Sequence, residues 1–124
     1  MKISRRIALL ALVLAALAPA PLAEAKSPPK GKYQCTISGI IYGDLFITGK
    51  KTYKFGLDGK YKKGKYRAKG KVGSGTYKGQ SKISFRTGRL KKHNGRWFRS
   101  TSGQYEIALK NPESGFESIY CDRR

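Results

Sequence analysis

Residues 60–71 carry cations at a spacing that suits one kind of chemistry. Lys65, Arg67, Lys69 and Lys71 recur at every second position, with Tyr66, Ala68 and Gly70 between them. Successive side chains of a strand point to opposite faces, so four cations line one face and a slim apolar set lines the other. Such a row makes and breaks no bonds; it neutralises a polyanion. Lys60, Lys62 and Lys63 extend the segment, and Lys50, Lys51, Lys54, Arg86, Arg89, Lys91, Lys92, Arg96 and Arg99 add charge in neighbouring turns and strands. The plain alternative is a solvated face whose lysines guard a sheet edge against unwanted pairing. A chain of 124 residues with a formal charge of +20 repels itself, which favours a role in which some polyanion offsets that charge.

Tyr61, Tyr66, Tyr77, Trp97 and Phe98 are interleaved with these cations, the composition of a stacking groove for single-stranded nucleic acid. A small β domain needs the same aromatics for its core. Strand parity turns Tyr66 and Tyr77 inward, and of the adjacent Trp97 and Phe98 one must face out. Sequence-specific recognition of nucleic acid is not expected.

Enzymatic chemistry is poorly supplied. His93, the single histidine, lies in Lys91-Lys92-His93-Asn94-Gly95-Arg96 and reads as an exposed hairpin-turn residue. The carboxylates Asp44, Asp58, Glu106, Glu113, Glu117 and Asp122 are scattered. No metal-ligand cluster, nucleophile with a neighbouring base or phosphate loop stands out, so no catalytic residue, metal or cofactor is assigned. Cys35 and Cys121 lack a nearby histidine or a Cys-x-x-Cys spacing, which sets aside a metal or redox pair. In an oxidising compartment they are expected to form one disulfide closing almost the whole domain, worth roughly 4–5 kcal/mol by loop entropy.

Strands must position these groups. Tyr33, Cys35 and Ile37 alternate with polar neighbours, and Ser38-Gly39 allows a turn or bulge into a second strand at 40–48. A third spans 52–56, and Asp58-Gly59 is a hairpin signal leading into 60–71. Further strands are expected at 74–78, 82–86, 96–100, 105–109 and 116–121, with Asn94-Gly95 and Asn111-Pro112 as turns. The fold class is all-β: an antiparallel meander of about eight short strands, a closed barrel favoured over a sandwich. A closed barrel brings the first and last strands together, and with them Cys35 and Cys121.

The N-terminal segment sets the compartment. Met1-Lys2-Ile3-Ser4-Arg5-Arg6 is positive, and an apolar run from Ile7 to Leu17 falls short of the ~20 residues of a membrane-spanning helix. Ala23-Glu24-Ala25 supplies a small-x-small cleavage pattern, so residues 1–25 read as a helical signal peptide. General secretion is favoured over the twin-arginine route, because the residues after Ser4-Arg5-Arg6 match only part of that signal. Residues 26–31 form a polar, proline-bearing lead-in expected to be disordered, and 32–124 a single β domain. Cleavage would remove Lys2, Arg5, Arg6 and Glu24, leaving 24 of 27 basic and 6 of 7 acidic residues, a net +18. The processed protein is expected outside the cytoplasm, secreted or periplasmic and bacterial, as a monomer with no transmembrane segment.

The cadence Gly59-Lys60-Tyr61, Gly75-Thr76-Tyr77, Ile83-Ser84-Phe85-Arg86-Thr87-Gly88-Arg89-Leu90 and the late Cys121 resembles small exported bacterial β-rich proteins of uncharacterised function. In these a Gly-x-Tyr strand precedes an Ile-x-Phe-x-x-Gly-x-Leu strand and turn, and a final cysteine pairs with one near the start. The resemblance implies the architecture and no activity. Residues 61–66 and 73–79 are more weakly similar to MORN repeats, which stack in arrays of ~23-residue units. One incomplete copy is present, and it reads as convergence on hairpin chemistry.

The expectation is therefore an exported, non-enzymatic basic protein that binds anionic envelope or extracellular polymers through the cationic face. The alternatives are a small-ligand carrier using a lipocalin-like interior and a secreted inhibitor of an acidic partner.

Overall fold

Period-two alternation governs the architecture. The computed structural model describes residues 27–124, and the expected signal peptide lies outside the described residues. The strands are β1 (Gly31–Ile37), β2 (Ile40–Ile47), β3 (Thr52–Leu57), β4 (Lys60–Arg67), β5 (Ser81–Phe85), β6 (Asn94–Arg99), β7 (Tyr105–Lys110) and β8 (Glu117–Arg123). Each pairs antiparallel with its neighbours in chain order, and β8 returns to β1, closing the barrel. The closed meander expected from the sequence is the fold.

Inward positions follow strand parity: Tyr33 and Cys35 on β1, Leu45 and Ile47 on β2, Tyr53 and Phe55 on β3, Tyr66 on β4. Ile83 and Phe85, Trp97, Ile107 and Leu109, then Ile119 and Cys121 complete the ring, so the interior is filled with side chains. Cys35 and Cys121 are register partners across the β1–β8 seam and form the expected disulfide. The bridge fastens the last strand to the first, at the one seam no hairpin connects.

Two turns match expectation. Ser38-Gly39 and Asp58-Gly59 both have positive φ at both residues (49° and 79°, 53° and 79°), the geometry that a two-residue hairpin needs. Other expectations are corrected. Asn94-Gly95 opens β6 instead of turning. Gly95 is required there because a Cβ would stand 1.9 Å from the Ala108 carbonyl oxygen on the next strand. The chain turns earlier, over residues 86–93. Residues 74–78 form no strand; they belong to a looped excursion between β4 and β5. Tyr77 is accordingly not inward but 43% exposed. Trp97 takes the inward position and Phe98 the outward one.

His93 is also corrected: it is 6% exposed, not a solvated tip. The 86–93 segment folds over one barrel mouth, and Leu90 seals it from within the core. The Tyr53 hydroxyl donates to the Thr87 carbonyl and accepts from the Leu90 N–H at 3.1 Å. His93 Nδ1 lies 3.1 Å from the Leu90 carbonyl, and Nε2 lies 3.3 Å from the Tyr42 hydroxyl. The imidazole is thus consumed in holding this plug to β2.

Other core phenols reach backbone carbonyls at the opposite mouth. Tyr66 donates to Gly49 at 2.6 Å and Tyr33 to Pro29 at 2.8 Å. The lead-in expected to be disordered is therefore laid on the barrel from Ser27 onward, with Pro28 buried and Ser27 Oγ donating to the Lys50 carbonyl. Burial pushes the Tyr33 phenol up to about 12, against the lowering influence of Arg123. Burial also raises Tyr53 and Tyr66. Between the ordinary phenol value of about 10 and these raised ones, the folded state keeps protons that the unfolded chain releases. Stability must therefore fall as pH rises through that window. Urea midpoints are expected to begin falling above about pH 10, and a midpoint that holds through about pH 12 contradicts this account.

Candidate functional site

The weakest lateral seam lies between β4 and β5. Tyr66 pairs with Phe85 and Arg67 with Ser84, after which β4 ends. The row expected as one strand to residue 71 therefore stops at Arg67. Beyond it the Lys82 N–H reaches the Gly70 carbonyl at 3.0 Å, and a single bridge joins Lys71 to Ser81. Between these points the ladder opens, and a groove of about 770 Å³ occupies the opening.

Its walls come from four separate parts of the chain. Lys65, Tyr66, Arg67, Ala68, Lys69, Gly70 and Lys71 form one side, Ser81, Arg86 and Thr87 the other. Lys50 and Lys51 from the β2–β3 turn and Ser27 from the lead-in close one end. A second hollow of about 400 Å³ shares Arg67, Lys69 and Arg86 and adds Lys82, Ser84, Asn94 and Gly95. The two make one surface carrying eight cations, and among the described residues no carboxylate lines either hollow.

Local structure fixes this surface. Thr87 Oγ1 accepts from the Lys65 N–H at 2.9 Å, and the Arg86 N–H donates to the Lys65 carbonyl at 2.8 Å. These bonds carry Arg86 beside Lys65 after the regular ladder has ended. The excursion over residues 68–80 is pinned by Arg96, which the sequence presents as one more surface charge. Arg96 is 6% exposed, stacks on Tyr77 with its guanidinium carbon 3.4 Å from the ring centroid, and lies 4.6 Å from that of Phe98. It donates to Gln80 Oε1 at 2.6 Å and to both Glu117 carboxylate oxygens at 3.0 and 2.6 Å. Arg96 is spent on positioning the loop, and its charge is matched by Glu117.

The sequence-predicted cations divide accordingly. Lys65, Arg67, Lys69 and Lys71 come together on the groove, all exposed. Lys60, Lys62 and Lys63 are exposed on the earlier part of β4 and do not line it. Lys50, Lys51, Lys82 and Arg86 join from elsewhere in the chain. Same-face neighbours such as Lys65 and Arg67 stand about 7 Å apart, where like charges repel by ~0.6 kcal/mol even in water. Repeated over the cluster, that repulsion is what a bound polyanion relieves.

The aromatic residues offer less. Tyr66 is buried, and Trp97 faces the interior, so a stacking platform along the groove is missing among the described residues. Phe46 and Tyr61 meet edge to face at 5.0 Å on the outer wall, with the Lys54 ammonium 4.7 Å from the Phe46 ring. No group of three or more His, Cys, Asp and Glu among the described residues could hold a metal ion. No described helix is long and apolar enough to cross a membrane. No family model matches the chain, and neither the curated proteins nor the solved structures include a match to it, so the groove's geometry is what carries the functional reading.

Proposed function

We propose that this chain is an exported, non-enzymatic basic barrel that adheres to anionic envelope or extracellular polymers through the β4–β5 groove. One observation carries the reading: eight cations from three parts of the chain converge on a surface that no carboxylate among the described residues lines. A solvated face has no need of such convergence, and a chain with six acidic residues after Glu24 had several with which to neutralise it. The disulfide fits an oxidising compartment, as the leader reading requires. The family resemblance to small exported bacterial proteins belongs to the same proposal.

The carrier alternative has one observation in its favour. The Trp97 indole N–H is buried without a hydrogen-bond partner, a group that a ligand's acceptor would satisfy. Against it stands the interior, filled by fifteen buried core residues.

Binding across a salt series separates the two. Residues 26–124, which contain the closed barrel and its disulfide, are expected to bind anionic wall fragments or polyphosphate at low salt. Release should be steep, with log K falling linearly against log salt. A small molecule that co-purifies, with binding indifferent to salt, would favour the carrier. An acidic protein partner would show itself by saturating the groove at one-to-one stoichiometry where polymers do not bind.

A further inference from the structure

The two ends of the barrel differ in how much large apolar surface they expose. In a closed meander the β1–β2, β3–β4, β5–β6 and β7–β8 connections all emerge at one mouth. Three of these tips expose large apolar side chains: Ile40 (73%) and Ile41 (52%), Leu57 (42%), and Phe116 (74%). The fourth connection is the plug held by Leu90 and His93. The cationic groove is centred instead on the β2–β3 and β4–β5 connections of the opposite mouth, with Arg86 and Thr87 joining it from the base of the plug.

The apolar tips are interleaved with charge of one prevailing sign. Lys60 follows the β3–β4 turn, Lys91 and Lys92 lie on the plug, and Lys110 precedes the β7–β8 turn, all exposed. Asp58 and Glu113 are the acidic residues of these turns. We infer that this mouth docks on a bilayer containing anionic phospholipid, with Ile40, Ile41, Leu57 and Phe116 entering the headgroup and acyl boundary. Lysines at the same level meet the lipid phosphates. Two features favour this occupant over a folded partner. The apolar side chains stand on separate protruding tips and line no groove, whereas protein interfaces are depleted of lysine at their centres. The charge is complementary to anionic headgroups. The inference is independent of the groove; joined to it, the barrel would bridge a membrane surface and an anionic polymer.

Flotation of residues 26–124 with vesicles tests it, using phosphatidylcholine alone and phosphatidylcholine with phosphatidylglycerol at about 7:3. Binding is expected to the mixed vesicles. The Ile40→Ser/Phe116→Ser variant should partition about tenfold less or weaker still, because it buries less apolar surface in the bilayer. Its salt-dependent polyphosphate binding should be unchanged, which separates failure of the rim from failure of the groove. A Phe116→Trp variant should shift its emission to the blue on adding mixed vesicles, and should still do so with Lys65, Arg67, Lys69 and Lys71 replaced by Gln. Unchanged partition of the double serine variant, or emission unmoved by lipid, overturns the inference. So does a sedimentation shift from dimer to monomer in that variant without loss of vesicle binding, which assigns the rim to a second copy of the chain.

Discussion

Replacing Lys65, Arg67, Lys69 and Lys71 together by Gln is expected to weaken binding to an anionic polymer by about 10²–10³-fold near 0.1 M salt. Cations near an anionic surface contribute about 1 kcal/mol each, and each 1.4 kcal/mol is tenfold. The slope of log K against log salt should become shallower by about 3, since each cation removed leaves roughly one counterion fewer to be released on binding. The fold should survive, because all four side chains are exposed and the variant removes like-charge repulsion. Circular dichroism and the urea midpoint check that point. Lys60, Lys62 and Lys63 are the control. They share the segment but not the groove, so the same substitution there should cost far less. Equal losses from the two sets would mean that charge density alone, not the groove, holds the polymer.

Breaking the disulfide is expected to have the largest effect on stability. Cys35 and Cys121 are 86 residues apart in sequence, so reduction frees a loop worth roughly 4–5 kcal/mol of unfolded-state entropy. A small domain has about 5–15 kcal/mol of net stability, and this one also carries a large excess of positive charge. The Cys35→Ala/Cys121→Ala variant additionally leaves space in the core, where both residues are fully buried. Urea titration of the oxidised and reduced protein measures the difference, with m expected to rise on reduction because the unfolded chain loses its crosslink. Reduced protein should sit near its unfolding transition in dilute buffer and regain part of its stability when polyphosphate is added, since a ligand of the folded state stabilises it by mass action. A midpoint indifferent to reduction would show that the β1–β8 ladder alone closes the barrel.

Much of the barrel was legible because its strands are half-buried and short. Tyr33, Cys35, Tyr53, Phe55, Ile83 and Phe85 alternate with polar neighbours, and alternation of period two fixes which side is inside. Asp58-Gly59 names its turn by backbone conformation. The same local rules fail where tertiary contacts decide. Asn94-Gly95 carries a turn signal, but Gly95 answers to the approach of the Ala108 carbonyl, a proximity invisible before β6 and β7 are paired. Tyr77 has a strand-like setting, yet Arg96 draws its ring onto the outer wall. His93 sits among lysines like a surface residue, and only folding of the plug onto Tyr42 buries it.

The groove was half legible for the same reason. Its central row is local, and the alternation of Lys65, Arg67, Lys69 and Lys71 announces it. Lys50, Lys51, Lys82 and Arg86 join because particular strands are neighbours and because one ladder ends at Arg67. Nothing in their own surroundings distinguishes them from Lys60 or Lys63, which the fold leaves outside.

Amide chemical shifts followed during titration of residues 26–124 with a short polyphosphate test the groove most directly. The perturbed amides are expected to cluster at residues 50–51, 65–71 and 81–87, and to return to their free positions as salt is raised. Shifts spread evenly over all lysine-bearing strands, or centred on residues 60–63, would contradict the assignment of polyanion binding to the β4–β5 seam.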